Sequence, residues 1–120
     1  MLFRSDMVMV SHQIAVNVDP DAPASLSAVV IAYLRDELGF EGVVITDALR
    51  MEAVHADYGS GEACVRALEA GADMLLLPYN FTNAYEGVME ALESGRLTEE
   101  RIDESLRRVL VLKEKFGLLR

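Results

Sequence analysis

Three short apolar runs constrain the fold of this chain more than any other feature of its sequence. The central run, Gly42–Thr46, is uncharged and rich in β-branched side chains, and Met7–Val10 and Asp73–Leu77 have a similar character. Strands without polar alternation are typical of parallel sheets whose two faces are both covered by helices. We therefore predict three parallel strands, each buried on both faces.

Between and after these runs, apolar residues recur with the spacing of amphipathic helices. Helices are predicted over residues 25–39, 61–70, 82–94 and 98–116, with a partly helical loop over residues 50–59. Ser25 is expected to cap the first helix. One inward face is expected in the third helix and one in the fourth. They comprise Tyr85, Val88, Met89 and Leu92, and Ile102, Leu106, Val109, Leu110 and the stem of Lys113. The order β-α-β-α-β-α-α predicts an α/β fold.

The number of strands limits the architectures that this pattern allows. Strands that are buried on both faces need helices on both sides or closure into a barrel. Three strands cannot close a barrel, which takes about eight. The chain is therefore expected to be a piece of a larger structure.

Two polar residues follow the apolar runs at positions where chemistry is often found. Asp47 comes directly after the central run, and His12 follows the first run at the same end of the predicted sheet. The carboxyl ends of parallel strands are where α/β folds place ligands and catalytic groups. Asp47 is alternatively the cap of a helix or turn that follows, and His12 alternatively makes a structural hydrogen bond. Position alone leaves both alternatives open.

Composition excludes several classes of function. The net charge of −9 disfavours nucleic acid and anionic membranes as partners, because both attract a basic face. One cysteine rules out an internal disulfide, and no Cys/His cluster has metal-site spacing, so neither a metal nor a cofactor is predicted. No stretch has transmembrane length, and the first residues lack the apolar core of a signal peptide, which predicts a cytoplasmic location.

Five segments, in this order, resemble the C-terminal part of the catalytic domain of glycoside hydrolase family 3, and particularly its bacterial β-N-acetylhexosaminidases. The segments are Val8–His12, Pro23–Ser27, Leu38–Val54, Ala67–Pro78 and Leu97–Leu118. The resemblance implies a partial (β/α)8 TIM barrel, with strands six to eight and their helices over residues 7–120. Residues 1–6 are then an atypical lead-in.

The same resemblance implies a role for Asp47. It falls on the aspartate of the TD or SD step that ends strand seven, which is the nucleophile of retaining family 3 enzymes. His12 and, with it, Met51 are expected to contact the sugar. The following residues, ALRM, resemble hexosaminidases and favour an N-acetylglucosaminide such as a muropeptide over a glucoside. A β-glucosidase or β-xylosidase of the same family is the alternative.

The chain also departs from the family pattern. The family's KHFPGHG-type segment and its Asp-His acid/base loop precede strand six and are absent here. Within the chain Glu52, His55 and Asp57 are only weak candidates for the acid. The 120 residues alone are therefore expected to be inactive, to lack the N-terminal barrel strands as partners and to self-associate. A non-catalytic barrel fragment is a further alternative. A receiver-type phosphoacceptor domain is discounted, because it needs an acidic pair after the first strand to hold magnesium, and this chain has Ser11-His12 there.

Overall fold

The computed structural model describes residues 5–119, so most of the lead-in predicted over residues 1–6 lies outside the described part. The first two apolar runs form parallel strands, β1 (Met7–Val10) and β2 (Val43–Thr46). They pair in register from Met7 opposite Val43 to Val10 opposite Thr46. The prediction of two parallel strands joined by a helical crossover is confirmed.

The third apolar run lies beside β2 but is not a regular strand. Its pairing is a single parallel bridge between Ile45 and Met74. Two residues further on, the N–H of Leu76 donates to the hydroxyl oxygen of Thr46 (3.1 Å) and not to a backbone carbonyl. Leu77 then adopts a positive φ of 44°, which turns the backbone out of the extended conformation. The third run thus lies where the third strand was predicted, but it does not form the regular backbone hydrogen bonds of a strand.

The helices follow the predicted order. They are α1 (Ala28–Ala32, continued by a π-helical turn over Tyr33–Glu37), α2 (Glu52–His55), α3 (Ser60–Ala70), α4 (Phe81–Glu93) and α5 (Glu99–Lys115). The cap predicted at Ser25 is wrong. Ser27 caps α1, since its hydroxyl oxygen accepts from the N–H of Val30 at 3.1 Å, and Ser25 lies in a preceding 3-10 turn. No helix within residues 5–119 has the length and apolar character needed to cross a membrane.

The two faces of the small sheet are covered unequally by the described residues. Val8, Val10 and Val44 pack into the main hydrophobic core together with side chains of α1 and α3. On the opposite face Met9, Ile45 and Met74 are neighbours across the strands, and Met9 and Met74 are 54% and 36% exposed. Val43, at the start of β2 on the same face, is only 1% exposed, so the prediction that both faces are buried holds there. It is wrong within residues 5–119 for the part lined by Met7, Met9 and Met74, which we call the uncovered sheet face.

Helices α3 and α4 pack closely because glycines face each other at their crossing. A Cβ added at Gly87 would lie 2.6 Å from the Cα of Gly61. Ala84 and Ala91 are the buried residues of α4, whereas Tyr85 is 59% exposed. The inward face predicted for α4 is right for Val88 and Leu92, which pack against the core, and wrong for Tyr85 and Met89, which lie at the surface.

Helix α5 is attached to the sheet by polar side chains. Ser105 is its buried residue, while Leu106 and Leu110 are 50% and 41% exposed, so the inward face predicted for them is wrong. The hydroxyl of Ser105 donates to Asp73 (2.7 Å), and the Nη1 of Arg108 donates to the same carboxylate (2.9 Å). The polar positions of α5 therefore determine which of its faces turns inward.

A buried carboxylate, Asp73, lies at the centre of this attachment. Its side chain is fully buried, and it pairs with Arg35 (2.6 Å) as well as with Arg108. The N–H of Val44 also donates to it at 2.9 Å, so it joins the start of β2 to α5 and to the helical turn after α1. Burial lowers the pKa of the Arg35 guanidinium, and the charge of Asp73 opposes that shift. Removing a buried charge with this many partners is strongly destabilising, because its partners are then left uncompensated.

Candidate active site

The candidate site is built around Asp47, the residue that follows β2. Its N–H donates to the carbonyl of Val10 (2.9 Å), which continues the β1–β2 ladder by one step. Its side chain is half-buried, and Oδ1 accepts from the N–H of Ala48 at 2.7 Å. Helix α2 begins only at Glu52 with Met51 as its cap, so Asp47 is not the cap of that helix. Its carboxylate is thus held at one oxygen by a local turn.

The charge of Asp47 has no cationic partner among residues 5–119. The ion pairs within that range involve Asp6, Glu62, Glu69 and Asp73, and none involves Asp47. Oδ2 likewise accepts no hydrogen bond from these residues, because the Ala48 contact is made by Oδ1. A carboxylate with one free oxygen at the end of a strand is placed to attack or to bind an electrophilic centre.

The turn after Asp47 is fixed by the third apolar run. The N–H of Leu49 donates to the carbonyl of Leu76 (2.8 Å), and the N–H of Arg50 donates to that of Leu77 (3.0 Å). Because Asp47 itself is bonded to β1, the turn is attached to the neighbours on both sides of β2. Such a backbone is a firmer support for a reactive group than a free loop.

His12 reaches this turn from the end of β1. Its Nε2 lies 2.9 Å from the carbonyl oxygen of Ala48, and its Nδ1 lies 2.6 Å from the hydroxyl oxygen of Ser25. A carbonyl oxygen only accepts, so Nε2 donates, and in the neutral ring Nδ1 accepts from Ser25. His12 is 8% exposed. The geometry favours the structural alternative for His12, and its sugar contact stays a prediction.

The other predicted site residues lie at the surface. Met51 is 45% exposed at the start of α2, and Glu52 and Asp57 are exposed as well. The ring of His55 stacks on that of Tyr79 with centroids 3.9 Å apart and planes 8° from parallel. The structure thus joins His55 to Tyr79, and the roles expected of Met51 and of the three acid candidates stay predictions.

No set of three His, Cys, Asp or Glu side chains within residues 5–119 is arranged to hold a metal ion. The lone Cys64 is buried in α3, and burial raises the pKa of its thiol to about 11. Its thiol therefore stays protonated, which suits a core residue and not a nucleophile.

Two residues that matter to the geometry were missed by the reasoning from sequence. Asp73 was assigned to an apolar strand, although an aspartate at the start of such a run signals a buried partner, and arginines at positions 101 and 108 share one face of α5. Ser25 was assigned as a helix cap, and nothing in the sequence pairs it with His12, because that contact depends on how residues 13–24 fold back.

The comparison with known families fits this geometry. The Glycosyl hydrolase family 3 N terminal domain matches residues 3–112. The chain belongs to glycoside hydrolase family 3. This confirms the family inferred from the five ordered segments.

Individual relatives of the family 3 chain include enzymes of known structure. A glycoside hydrolase family 3 β-N-acetylglucosaminidase from Paenibacillus sp. str. FPU-7 is 44% identical with a TM-score of 0.90, over 94% of this chain and 22% of that one. The β-N-acetylglucosaminidase/β-glucosidase of Cellulomonas fimi is 36% identical over 72% of this chain and 15% of its own length. β-Hexosaminidase A of Pseudoalteromonas piscicida is 33% identical over 78% of this chain and 17% of its own length. The family 3 chain thus spans less than a quarter of each relative.

Proposed function

We propose that Asp47 is the catalytic nucleophile of a retaining glycosidase that releases terminal β-linked N-acetylhexosamine, such as that of cell-wall muropeptides. The observation that carries the proposal is the carboxylate at the end of β2, half-buried and without a cationic partner among residues 5–119. We place this chain in strands six to eight of a (β/α)8 barrel, which agrees with the parallel pairing and with the short share of each relative that it spans.

The reaction then follows the double-displacement scheme. The free oxygen of Asp47 forms a bond to the anomeric carbon while the glycosidic bond breaks, and a general acid gives its proton to the departing oxygen. In the second step, the conjugate base of that acid takes a proton from water, which displaces the Asp47 carboxylate and releases the sugar. The acid of a retaining enzyme stands about 5–5.5 Å from the nucleophile. We assign it to a part of the protein that precedes strand six.

Two observations support the N-acetylhexosamine substrate. The residues after the nucleophile are Ala48-Leu49-Arg50-Met51, with no tryptophan anywhere in the chain. The Paenibacillus and Pseudoalteromonas relatives are named as a β-N-acetylglucosaminidase and a β-hexosaminidase. Met51, which is exposed beside the turn, is available to contact the sugar.

The test uses a grafted enzyme, in which residues 6–119 replace the matched segment of the Paenibacillus β-N-acetylglucosaminidase. This design supplies the strands that the chain does not contain. We expect the grafted enzyme to hydrolyse an aryl N-acetylglucosaminide and its Asp47→Asn variant to be inactive. A fluorinated sugar should label Asp47, as shown by peptide mapping. Undiminished turnover by Asp47→Asn would overturn the proposal.

A β-glucosidase is the second candidate, because the Cellulomonas relative is named as both a β-N-acetylglucosaminidase and a β-glucosidase. A panel of aryl glycosides on the grafted enzyme separates the two. A higher kcat/KM for the glucoside than for the N-acetylglucosaminide favours the second candidate and leaves the role of Asp47 intact.

For the 120 residues alone we propose no hydrolysis and self-association through the uncovered sheet face and the edge of β1, which pairs with no strand within residues 5–119 other than β2. Sedimentation velocity over a range of concentrations measures the association. A monodisperse monomer that hydrolyses the substrate contradicts this proposal.

A further inference from the structure

Residues 47–50 form the turn after β2, which we call the nucleophile turn, and within residues 5–119 a side chain from outside this turn holds it at the carbonyl of Ala48. Asp47, Leu49 and Arg50 are each held through their N–H groups by backbone carbonyls of the neighbouring segments. The carbonyl of Ala48 instead accepts from Nε2 of His12 at 2.9 Å, and also from the N–H of Met51 at 3.0 Å. A mutation can remove the first contact while leaving the backbone contacts in place.

Ala48 is also the residue whose N–H contacts the carboxylate of Asp47. The nitrogen lies 2.7 Å from Oδ1, so a shift of the Ala48 backbone moves the hydrogen bond that holds this carboxylate. A contact on the carbonyl side of Ala48 therefore acts on Asp47 through a single residue. Nucleophile placement matters, since a misplacement of about 1 Å can lower a rate by roughly 10²-fold.

Ser25 holds the His12 ring from the other side. Its side chain is fully buried in the 3-10 turn before α1, and its oxygen lies 2.6 Å from Nδ1. The N–H of Ser25 donates to the carbonyl of Ser11 (3.0 Å), which attaches the turn to the residue before His12. The ring is thus fixed between a buried hydroxyl and the nucleophile turn, and it makes no other hydrogen bond to residues 5–119.

From these contacts we propose that His12 is a positioning residue: with Ser25 it holds the carbonyl of Ala48 and so orients the carboxylate of Asp47. This inference rests on the proposed function of Asp47. It assigns His12 to the nucleophile turn, and it makes the donor at Nε2, and not the imidazole as a whole, the group that the reaction needs.

Two substitutions of His12 separate its two hydrogen bonds. In His12→Gln the side-chain amide nitrogen takes the position of Nε2 and keeps a donor for Ala48. In His12→Asn the polar group takes the position of Nδ1 and keeps a partner for Ser25, but the Ala48 contact is lost. Both variants lose one buried hydrogen bond, so a purely structural role predicts similar effects of the two on stability and on kcat.

We expect His12→Asn in the grafted enzyme to lower kcat by roughly 10²-fold with KM little changed, and His12→Gln to retain most of the activity. Thermal unfolding should show similar midpoints for the two variants. Equal kcat values for both, whether high or low, overturn the positioning role. Ser25→Ala combined with His12→Gln removes the unpaired hydroxyl and serves as the test variant if His12→Gln alone folds poorly.

The outcome for Asp47 is distinguished by its own variant. If Asp47→Asn remains active, the nucleophile assignment fails whatever the His12 variants do. If Asp47→Asn is inactive while His12→Asn matches the wild type, only the positioning role fails. Nitrogen-15 NMR of the histidine ring in the 120-residue chain gives an independent reading, since the inference requires a proton on Nε2 of His12.

Discussion

Two aspartates at opposite ends of β2 have opposite surroundings. Asp73 lies beside Val44 near the start of the strand, is fully buried, and is bonded to two arginines, a serine and a backbone N–H. Asp47 follows the end of the strand, is half-buried, and accepts one hydrogen bond from the next residue. The same side chain is neutralised in one place and left with a free oxygen in the other.

The difference separates stability from chemistry along a single strand. A carboxylate whose lone pairs are all engaged stabilises the fold and has none to offer a substrate. A carboxylate with a free oxygen is less useful to the fold and available to an electrophile. Val44, which Asp73 contacts, and Asp47 are three residues apart along the strand, or about 10 Å at 3.3 Å per residue, so the two carboxylates act at different ends of it.

The largest expected effect tests that separation with the same substitution at both ends. Asp73→Asn leaves Arg35 and Arg108 next to each other without a counter-charge, and we expect it to lower the free energy of unfolding by about 3–5 kcal/mol. Urea unfolding of the 120-residue chain, followed by circular dichroism, measures the loss.

Asp47→Asn is the matched control, because it removes one carboxylate charge from a site without an ion pair among residues 5–119. We expect its free energy of unfolding to stay within about 0.5 kcal/mol of the wild type. Equal losses in the two variants would show that both carboxylates are structural and would remove the basis of the comparison.

A second prediction tests a stabilising contact that involves neither aspartate. In Gly87→Ala the new methyl group meets the backbone of Gly61 at 2.6 Å, so α3 and α4 must move apart. We expect a loss of about 1–3 kcal/mol in unfolding free energy and no change in kcat of the grafted enzyme. Gly59→Ala is the control, since its Cβ has open space. A drop in kcat for Gly87→Ala alone would show that stability and chemistry are coupled.

The smallest effect concerns an exposed cluster, in which Arg96 bonds both Glu62 and Glu69. The hydrogen bond from Arg96 lowers the pKa of Glu62 to about 2 from 4.5, so the pair stabilises the fold above pH 4.5 and loses that effect as the pH falls towards 2. Because the Glu62 and Arg96 side chains are 37% and 41% exposed, we expect only about 0.2–1 kcal/mol.

Arg96→Gln should weaken this pH dependence without removing it, because Arg66 still bonds Glu62, and Arg50→Gln, at another exposed arginine, should leave it unchanged. Urea midpoints at pH 6 and pH 2.5 provide the measurement. A loss as large as that of Asp73→Asn would mean that the number of contacts, and not burial, makes the difference between the clusters.

The order of elements was predictable from the sequence, because the spacing of apolar residues and the glycines at helix ends are local signals. Asp47 was predictable because it directly follows a strand, and the backbone fixes where a strand end points. The faces of α4 and α5 were predictable only in part. Val88, Leu92 and Ile102 pack inward as expected, but α4 also uses small residues, and α5 uses Arg101, Ser105 and Arg108. Close helix contacts and buried ion pairs depend on the surface that the helix packs against. The spacing of apolar residues within the helix carries no information about that surface.

The hydrogen bonds of His12 illustrate the same limit at the site. Its position after β1 was visible, but its partners Ser25 and Ala48 lie 13 and 36 residues away. Their selection depends on the way residues 13–24 fold back under the strand ends. A single sequence carries no signal for that path, so the histidine was assigned by its location and not by its contacts.

The uncovered sheet face has one further consequence, because it is lined with sulfur. Met7, Met9 and Met74 share it and are 38%, 54% and 36% exposed. Peroxide converts exposed thioethers to sulfoxides, which mass spectrometry locates residue by residue. Rapid oxidation of all three in the 120-residue chain, and protection in the grafted enzyme, would give a chemical footprint of the surface that the Paenibacillus strands cover.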